Sequence, residues 1–550
     1  MLHALGAAGD EGHTLLPEAD LSAKAAELLG AGEPAIAAAV AALLGTGEAV
    51  ALARDGEAGR SLALAPFARA ESGLATRLLG LAGAADRAPA ARAFGAVDWA
   101  AAFGWLAGTH GLTLAPEQAA GVRMALTTPV SILTGGPGTG KTHTLKAVLT
   151  LAEAKKLRCV LAAPTGRAAK RMEEATGLPA GTLHRVLELR PGGKAGKNPD
   201  SPLPADLVVV DEASMLDALL ANQLAKAVAP GAHLLLVGDP DQLPSVGAGD
   251  VLAGLLRSGR FPVTRLERIF RQGAGSGIAA NARRVNAGEM PRFGRAAGIE
   301  DCFFLPAEDG AEAARLVADL VADRLPRRYG LDARAGEIQV LAPMHRGDAG
   351  VGALNSILQE RLNPYREGAP EARAGGRAYR VGDRVLQLKN DDDLKVFNGD
   401  LGTVRALDPT EQELLLALDD GREVAYPHAS LYALTHAYAV SVHKSQGAEF
   451  PAVVLVLLTS HAPMLARTLF YTALTRARRL AVLVGQRKAL GLAVRDWRRT
   501  PRHTALEGLL AGRARFAWPR ADRGTGEPPE EAADAWAGPT GGPDDAAGGP

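Results

Sequence analysis

At 550 residues the chain is too long for one compact core, and roughly three or four domains are expected. Apolar residues at 47% and charged residues at 22% are ordinary for a globular protein, and no run approaches the ~18 to 20 apolar residues of a membrane span. The formal net charge of zero excludes a global basic signature for nucleic acid.

That zero conceals an asymmetry. Residues 521–550 carry Asp522, Glu527, Glu530, Glu531, Asp534, Asp544 and Asp545 against Arg523 alone, so this segment is net −6 and the rest net +6. Cys159 and Cys302 stand far apart without companion ligands, which argues against a disulfide framework or structural zinc and fits a reducing cytoplasm. The opening Met1-Leu-His-Ala-Leu lacks the layout of a secretory signal, and no membrane association is expected.

In chain order, residues 1–100 are rich in Ala and Leu, with helical apolar spacing from Leu21 to Leu29 and from Ala35 to Leu44. They read as a helical accessory domain, with a role in touching DNA as the alternative. From Val130 the texture changes. Short apolar runs (Ser131-Ile-Leu-Thr, Cys159-Val-Leu-Ala-Ala, Leu207-Val-Val-Val, Leu234-Leu-Leu-Val) alternate with amphipathic stretches such as Thr142 to Lys155. That alternation predicts an α/β class, a parallel sheet covered on both faces, over residues 101–260. A second series at Ile338-Gln-Val-Leu, Ala452-Val-Val-Leu-Val-Leu-Leu and Leu480-Ala-Val-Leu-Val predicts a second core from 261–372 and 432–515. Between them, short strands with Asn398-Gly and Asp420-Gly turns predict a small β-barrel over 373–431. The stretch at about 188–206 reads as an exposed hairpin or plain loop, and 516–550 as a disordered acidic tail.

The chemistry is carried first by Gly135-Gly-Pro-Gly-Thr-Gly-Lys-Thr142, a G-x-x-x-x-G-K-[ST] loop between a predicted strand and helix. Backbone N–H groups of Gly136, Pro137-flanked Gly138, Thr139 and Gly140 are placed to wrap phosphates at a helix N-terminus. Lys141 is expected at the β- and γ-phosphates of ATP, and Thr142 on Mg²⁺. The Leu207-Val-Val-Val strand then delivers Asp211, a second Mg²⁺ ligand, and Glu212, suited to orient and deprotonate water. A third strand leads into Gly238-Asp-Pro-Asp-Gln-Leu-Pro, where Gln242 is a candidate sensor of the γ-phosphate.

With Ile269-Phe-Arg-Gln272, Val442-His-Lys-Ser-Gln-Gly447 and Tyr471-Thr-Ala-Leu-Thr-Arg-Ala477, these form six motifs in the order of superfamily 1 helicases. Leu341-Ala-Pro-Met-His-Arg-Gly, Ala353-Leu-Asn-Ser, Leu362-Asn-Pro and Phe397-Asn-Gly-Asp-Leu-Gly resemble the RecD-like branch. The resemblance is dense over about 100–490. It is to the stand-alone RecD-type helicases without their N-terminal helix-hairpin-helix region, as a short natural form or a trimmed one.

The resemblance implies two RecA-like P-loop cores, with an SH3-like barrel inserted in the second. It implies 5′→3′ movement on single-stranded DNA, unwinding at single-strand/duplex junctions, action as a monomer, and a place in DNA repair or recombination. It assigns Gln118 to adenine, Gly447 to the nucleotide site, and Arg271 and Arg476 to the γ-phosphate, where guanidinium groups offset charge on the transferred phosphoryl group. It assigns Pro164, Thr165, Arg167, Thr182, His184, His443 and Ser445 to DNA, by contacts that grip phosphates without reading sequence. At 4% aromatic residues no broad stacking platform is expected. The rival readings are the RecD-type subunit of a helicase–nuclease, a nucleotide-gated DNA-binding scaffold, and an RNA helicase.

Overall fold

The computed structural model describes residues 1–518, apart from 57–58, 85–87, 191–193, 269, 271–275, 392 and 496–501. Two parallel sheets form the frame. Across the first, the strands run Ala180–Thr182, Cys159–Ala163, Leu207–Val210, His233–Gly238, Val130–Gly135, Val263–Leu266, and every neighbouring pair is parallel. Alternate residues serve opposite cores. Ile132, Val208, Val210, Leu234 and Leu236 pack on one face, and Leu133, Leu207, Val209, Leu235 and Val237 on the other. A strand apolar at every position is therefore one buried on both sides. Each such side chain withdrawn from water contributes about 1.5–3 kcal/mol.

The second sheet runs Cys302–Pro306, Ala477–Gly485, Phe450–Leu457, Ile338–Ala342, Ala439–Ser441, again all parallel. Leu341, Val453, Leu455 and Leu483 face one core, while Val340, Val454, Val456 and Val482 face the other. Between Ile338–Ala342 and Ala439–Ser441 the chain leaves this sheet. It forms the hairpin Glu371–Ala374 with Arg377–Arg380, then an antiparallel sheet ordered Glu423–Pro427, Glu413–Leu418, Leu401–Asp408, Arg384–Gln387, Leu434–His436. Gly399 and Gly421, at φ of 96° and 87°, supply the left-handed backbone of its Asn-Gly and Asp-Gly turns. Its core holds the buried rings of Tyr379 and Tyr426, whose hydroxyls donate to Leu434 O (2.6 Å) and Gln387 Oε1 (3.1 Å).

Several boundaries depart from expectation. The N-terminal region is helical only in part: Leu15–Pro17, Ser61–Leu64 and Ala49–Arg54 form an antiparallel sheet. Its fourth strand is Ala514–Ala517, paired with Ala49–Arg54 from more than 450 residues away. Residues 502–517 thus belong with the N-terminal region rather than the second core, and Phe516, expected in a disordered tail, is a buried strand residue. Val263–Leu266 closes the edge of the first sheet, so the first core extends past 260. The inserted antiparallel sheet ends at His436, not 431. Periodicity within a short segment cannot reveal a strand partner so distant in the chain. The rest of the expected tail, 519–550, lies outside the described residues. Among the described residues no single helix is long and apolar enough to cross a membrane.

Candidate nucleotide site and nucleic-acid interface

The strand Val130–Gly135 ends at the glycine loop, and the helix Lys141–Ala154 begins directly after it. Gly138 and Gly140 adopt φ of 74° and 86°, and a Cβ at Gly140 would collide with the Gln118 amide. The loop is therefore folded tightly around its own backbone, open N–H groups at a helix start. Lys141 Nζ donates to Gly135 O (2.5 Å) and Gly136 O (3.1 Å). Thr139 Oγ1 donates to Gly136 O at 2.8 Å. Thr142 is exposed at the mouth of the loop. Gln118 lies behind it, 2% exposed, accepting from Ala115 N (3.0 Å) and reaching Thr139 O at 3.5 Å.

Asp211 and Glu212 follow the Leu207–Val210 strand as expected for a site at the carboxyl edge of a parallel sheet. Glu212 holds a left-handed φ of 52°, a costly conformation for a residue with a Cβ. Asp211 Oδ1 accepts from Glu212 N at 2.8 Å. Burial first, then the charge of Glu212, pushes the Asp211 carboxyl up to about 6, against the pull of Arg171 and Lys141. Asp211 is half-buried, Glu212 buried and Thr142 exposed, and their oxygens are hard ligands of the kind Mg²⁺ takes.

The loop after His233–Gly238 joins the two sheets. Asp239 Oδ2 accepts from Tyr471 Oη (2.8 Å) and Gln242 Nε2 (3.2 Å). Gln242 Oε1 accepts from Arg476 Nη2 at 2.9 Å. Tyr471 and Arg476 sit on and directly after the second-sheet helix Arg467–Thr475, so one helix grips one first-sheet loop at two points. Thr472 adds a third point, its Oγ1 accepting from Leu243 N at 2.8 Å. Burial raises the Asp239 carboxyl. It also drives the Tyr471 hydroxyl well above its ordinary value, with Asp239 adding to the rise. The hydroxyl therefore stays a donor. A cavity of about 370 Å³ lies between Gly135, Gly136, Pro137, Asp239, Arg283 and Tyr471. A larger groove, about 890 Å³, between Ala314, Leu316, Asp348 and Ile357 on the second core is lined by none of the candidate site residues.

Arg271 lies outside the described residues, while its neighbour Phe270 donates its N–H to Gly138 O at 2.8 Å. Gly447 lies against the helix Gly166–Thr176 of the first core, where a Cβ would meet Thr165 Oγ1 at 2.7 Å, and its carbonyl accepts at 3.3 Å from Arg171, the guanidinium that also approaches Glu212. Its left-handed φ of 73° and missing side chain let it sit against Thr165 and Ala168 of that helix.

Thr165 caps the helix Gly166–Thr176, its Oγ1 accepting from Ala168 N at 3.3 Å, with Pro164 half-buried before it. Arg167 follows in the first turn. Its Nη2 is buried without a hydrogen-bond partner, and burial pushes the guanidinium down to about 10 despite nearby Asp419 and Asp400 of the antiparallel sheet. His184 is exposed and His443 half-buried. Thr182 and Ser445 correct the expectation. Both are buried, and their hydroxyls serve their own turns, accepting from Arg185 N (3.2 Å) and donating to Val442 O (2.7 Å) respectively. They shape the turns that present His184 and His443.

Sequence reasoning passed over Tyr471, Arg283, Arg171 and Glu449. Tyr471 and Glu449 lay within or beside quoted motifs, whereas Arg171 and Arg283 are helix arginines with no local signal.

Phosphate loop, paired carboxylates and two interlocked parallel sheets define a P-loop enzyme of the two-core motor class. Residues 113–299 match the AAA domain family, 354–417 the SH3 domain of ATP-dependent RecD-like DNA helicases, and 436–484 the UvrD-like helicase C-terminal domain. The ATP-dependent RecD2 DNA helicase of Deinococcus radiodurans is 41% identical over 392 residues, 71% of this chain and 50% of that protein. The RecBCD enzyme subunit RecD of Mycolicibacterium smegmatis is 36% identical over 432 residues, 72% of this chain and 74% of the relative. The chain belongs to the RecD-like family of ATP-dependent DNA helicases. It spans about half the length of the Deinococcus relative. Among solved structures, Bacteroides Pif1 bound to ssDNA aligns at 21% identity with a TM-score of 0.42, over 67% of this chain and 92% of that one.

Proposed function

We propose that this chain is a 5′→3′ translocase that draws single-stranded DNA through itself and splits the duplex ahead. The observation that carries this reading is the chain of hydrogen bonds Tyr471–Asp239–Gln242–Arg476, which couples the two cores at the glycine loop. In this reading the cleft binds ATP, with Lys141 on the β- and γ-phosphates and Gln118 beside the base. Thr142 and Asp211 hold Mg²⁺, which neutralises phosphate charge when bound. Glu212 orients and deprotonates water, while Gln242, Arg271 and Arg476 sense and stabilise the transferred phosphoryl group.

On the opposite face, Pro164, Thr165, Arg167, His184 and His443 hold the strand by its phosphates. The antiparallel sheet, read as an SH3-like barrel inserted in the second core, closes the path. Lys170 Nζ donates to Asp419 O (2.8 Å) and Lys444 Nζ to Asn398 Oδ1 (2.9 Å), so the insert touches both cores. The chain acts as a monomer on junctions of single-strand and duplex DNA. A second reading, a RecD-type subunit of a helicase–nuclease, is favoured by the 36% identity to a protein of that description.

The test is unwinding of matched duplexes bearing a 5′ or a 3′ single-stranded tail, with Lys141→Ala alongside. Unwinding from the 5′ tail by the purified chain supports the stand-alone reading, and unwinding from only the 3′ tail overturns the polarity. ATP hydrolysis that persists in the lysine variant overturns the site. Unwinding that requires a partner protein supports the second reading.

A further inference from the structure

The helix Gly166–Thr176 carries two arginines four residues apart, Arg167 and Arg171, and therefore on one face. Arg167 stands in the first turn, at the proposed DNA path. Arg171 stands one turn deeper, between carboxylates of the two cores. Its Nη1 is 3.9 Å from Glu212 Oε1, and its Nη2 is 3.5 Å from Glu449 Oε1. The same guanidinium donates to Gly447 O at 3.3 Å. Glu449 is fixed in turn by Arg478, whose Nε donates to its other oxygen at 3.0 Å. The Glu212 and Glu449 side chains are only 11% and 10% exposed, so these charges meet away from bulk water. Burial opposes the Arg171 charge, and Glu449, Glu212 and Asp211 together outweigh it, keeping the group cationic.

The two links differ in kind. Gly447 and Glu449 of the second core hold Arg171 by a hydrogen bond and a closer ion pair. At 3.9 Å the Glu212 contact is too long for a hydrogen bond and acts through charge alone. Glu212 is the more easily released partner, because a shift of the helix by a fraction of an ångström lengthens a contact already at its limit. Its backbone, held left-handed at φ 52°, cannot follow freely.

We infer that Arg171 is a positioning residue that restrains Glu212 until single-stranded DNA engages the first turn of the same helix. In the structure the guanidinium lies between the Glu212 carboxylate and Glu449 of the second core. DNA seated on Thr165 and Arg167 shifts the helix, and the carboxylate is freed to turn to water. This inference rests on the helicase reading above and names the element by which the strand gates hydrolysis.

The test is steady-state ATP hydrolysis with and without poly(dT), for the wild type, R171Q, R171K and E449Q. R171Q is expected to raise the DNA-free rate without raising the DNA-saturated rate, so that stimulation falls about fivefold or more, the lower range of site-to-site coupling. The KM for ATP stays near wild type. R171K, which keeps a cation, retains most of the stimulation. E449Q, which removes one anchor of the guanidinium, lowers the ratio in the same direction by less.

A second measurement is poly(dT) affinity by fluorescence anisotropy without nucleotide, expected to be nearly unchanged in R171Q. A large loss of affinity would make Arg171 a DNA-binding residue and overturn the inference. So would both rates falling together, or stimulation equal to wild type. Should R171Q fail to fold, an unaltered ratio in E449Q decides against it. Wild-type turnover indifferent to poly(dT) sinks the helicase reading and this inference together, whereas stimulation intact in every variant sinks this inference alone.

Discussion

Arg476 Nη2 donates to Gln242 Oε1 at 2.9 Å, tying the end of a second-sheet helix to the loop after a first-sheet strand. The guanidinium is 2% exposed and also donates to Thr472 O (3.1 Å) and Ala448 O (3.1 Å). It is thus held in a fixed fork, with one arm spent across the cleft. Arg476→Ala is expected to lower DNA-stimulated kcat by about 10³-fold, the lower range for a finger arginine. Arg476→Lys should recover little, because the single nitrogen of an ammonium cannot reach the three separate acceptors that Nε, Nη1 and Nη2 of the planar guanidinium serve. Steady-state hydrolysis by both variants checks this, and wild-type turnover in either would remove Arg476 from the reaction.

Tyr471 offers a milder test in the middle of the same helix. Its hydroxyl serves Asp239 and lies against Gly136, where an added Cβ would sit 3.0 Å from it. Tyr471→Phe removes one donor from a buried carboxylate, which costs about 1–3 kcal/mol locally and loosens the hold of Asp239 on Gln242. We expect kcat to fall about tenfold, the equivalent of 1.4 kcal/mol, with unwinding lost in proportion. Unchanged kinetics would mean that Asp239 positions Gln242 without the tyrosine.

Arg502 anchors the strap that closes the N-terminal sheet. Its guanidinium donates to Ser245 Oγ (3.0 Å), Ser245 O (2.7 Å), Gly247 O (3.0 Å) and Gly249 O (2.7 Å). These bonds pin a loop whose tip, Val246, is 60% exposed. Arg502→Ala leaves the Ser245 carbonyl without its donor and the Gly247 and Gly249 carbonyls to share the Ser245 hydroxyl, and is expected to destabilise the protein by about 1–3 kcal/mol. Urea unfolding of the variant measures this. A midpoint equal to wild type would show that water replaces the guanidinium at no cost.

Glu71 predicts a pH dependence with a definite sign. It is fully buried, and burial lifts its carboxyl from 4.5 to about 7, against donation from Ala505 N (2.9 Å), Thr14 Oγ1 (2.8 Å) and Leu506 N (3.3 Å). A carboxyl with a raised folded pKa stabilises fully below its unfolded value. That contribution is lost as pH rises through the folded one. The wild type should therefore lose about 3 kcal/mol relative to Glu71→Gln between pH 4.5 and 7. Unfolding free energies of the two proteins across that range check it, and parallel curves would refute it.

Much of the site was legible because its signals are local. The glycine loop, the Asp211–Glu212 pair and the loop holding Gln242 are short runs whose backbone geometry is written in consecutive residues. Arg171 was not legible, since its two carboxylate partners are 41 and 278 residues away in the chain. Thr182 and Ser445 misled for the opposite reason. A hydroxyl in a motif looks available until burial shows it bonded within its own turn.

From the order of residues alone came the phosphate loop, the buried parallel strands and the two-core division, because each depends on spacing within a dozen residues. Only the folded chain decided that Ala514–Ala517 completes a sheet begun near residue 15, that one helix reaches Asp239 and Gln242 together, and that Arg171 bridges both cores. Those are pairings between distant segments. Charge, shape and strand edges select them only once the segments are brought within a few ångströms of one another.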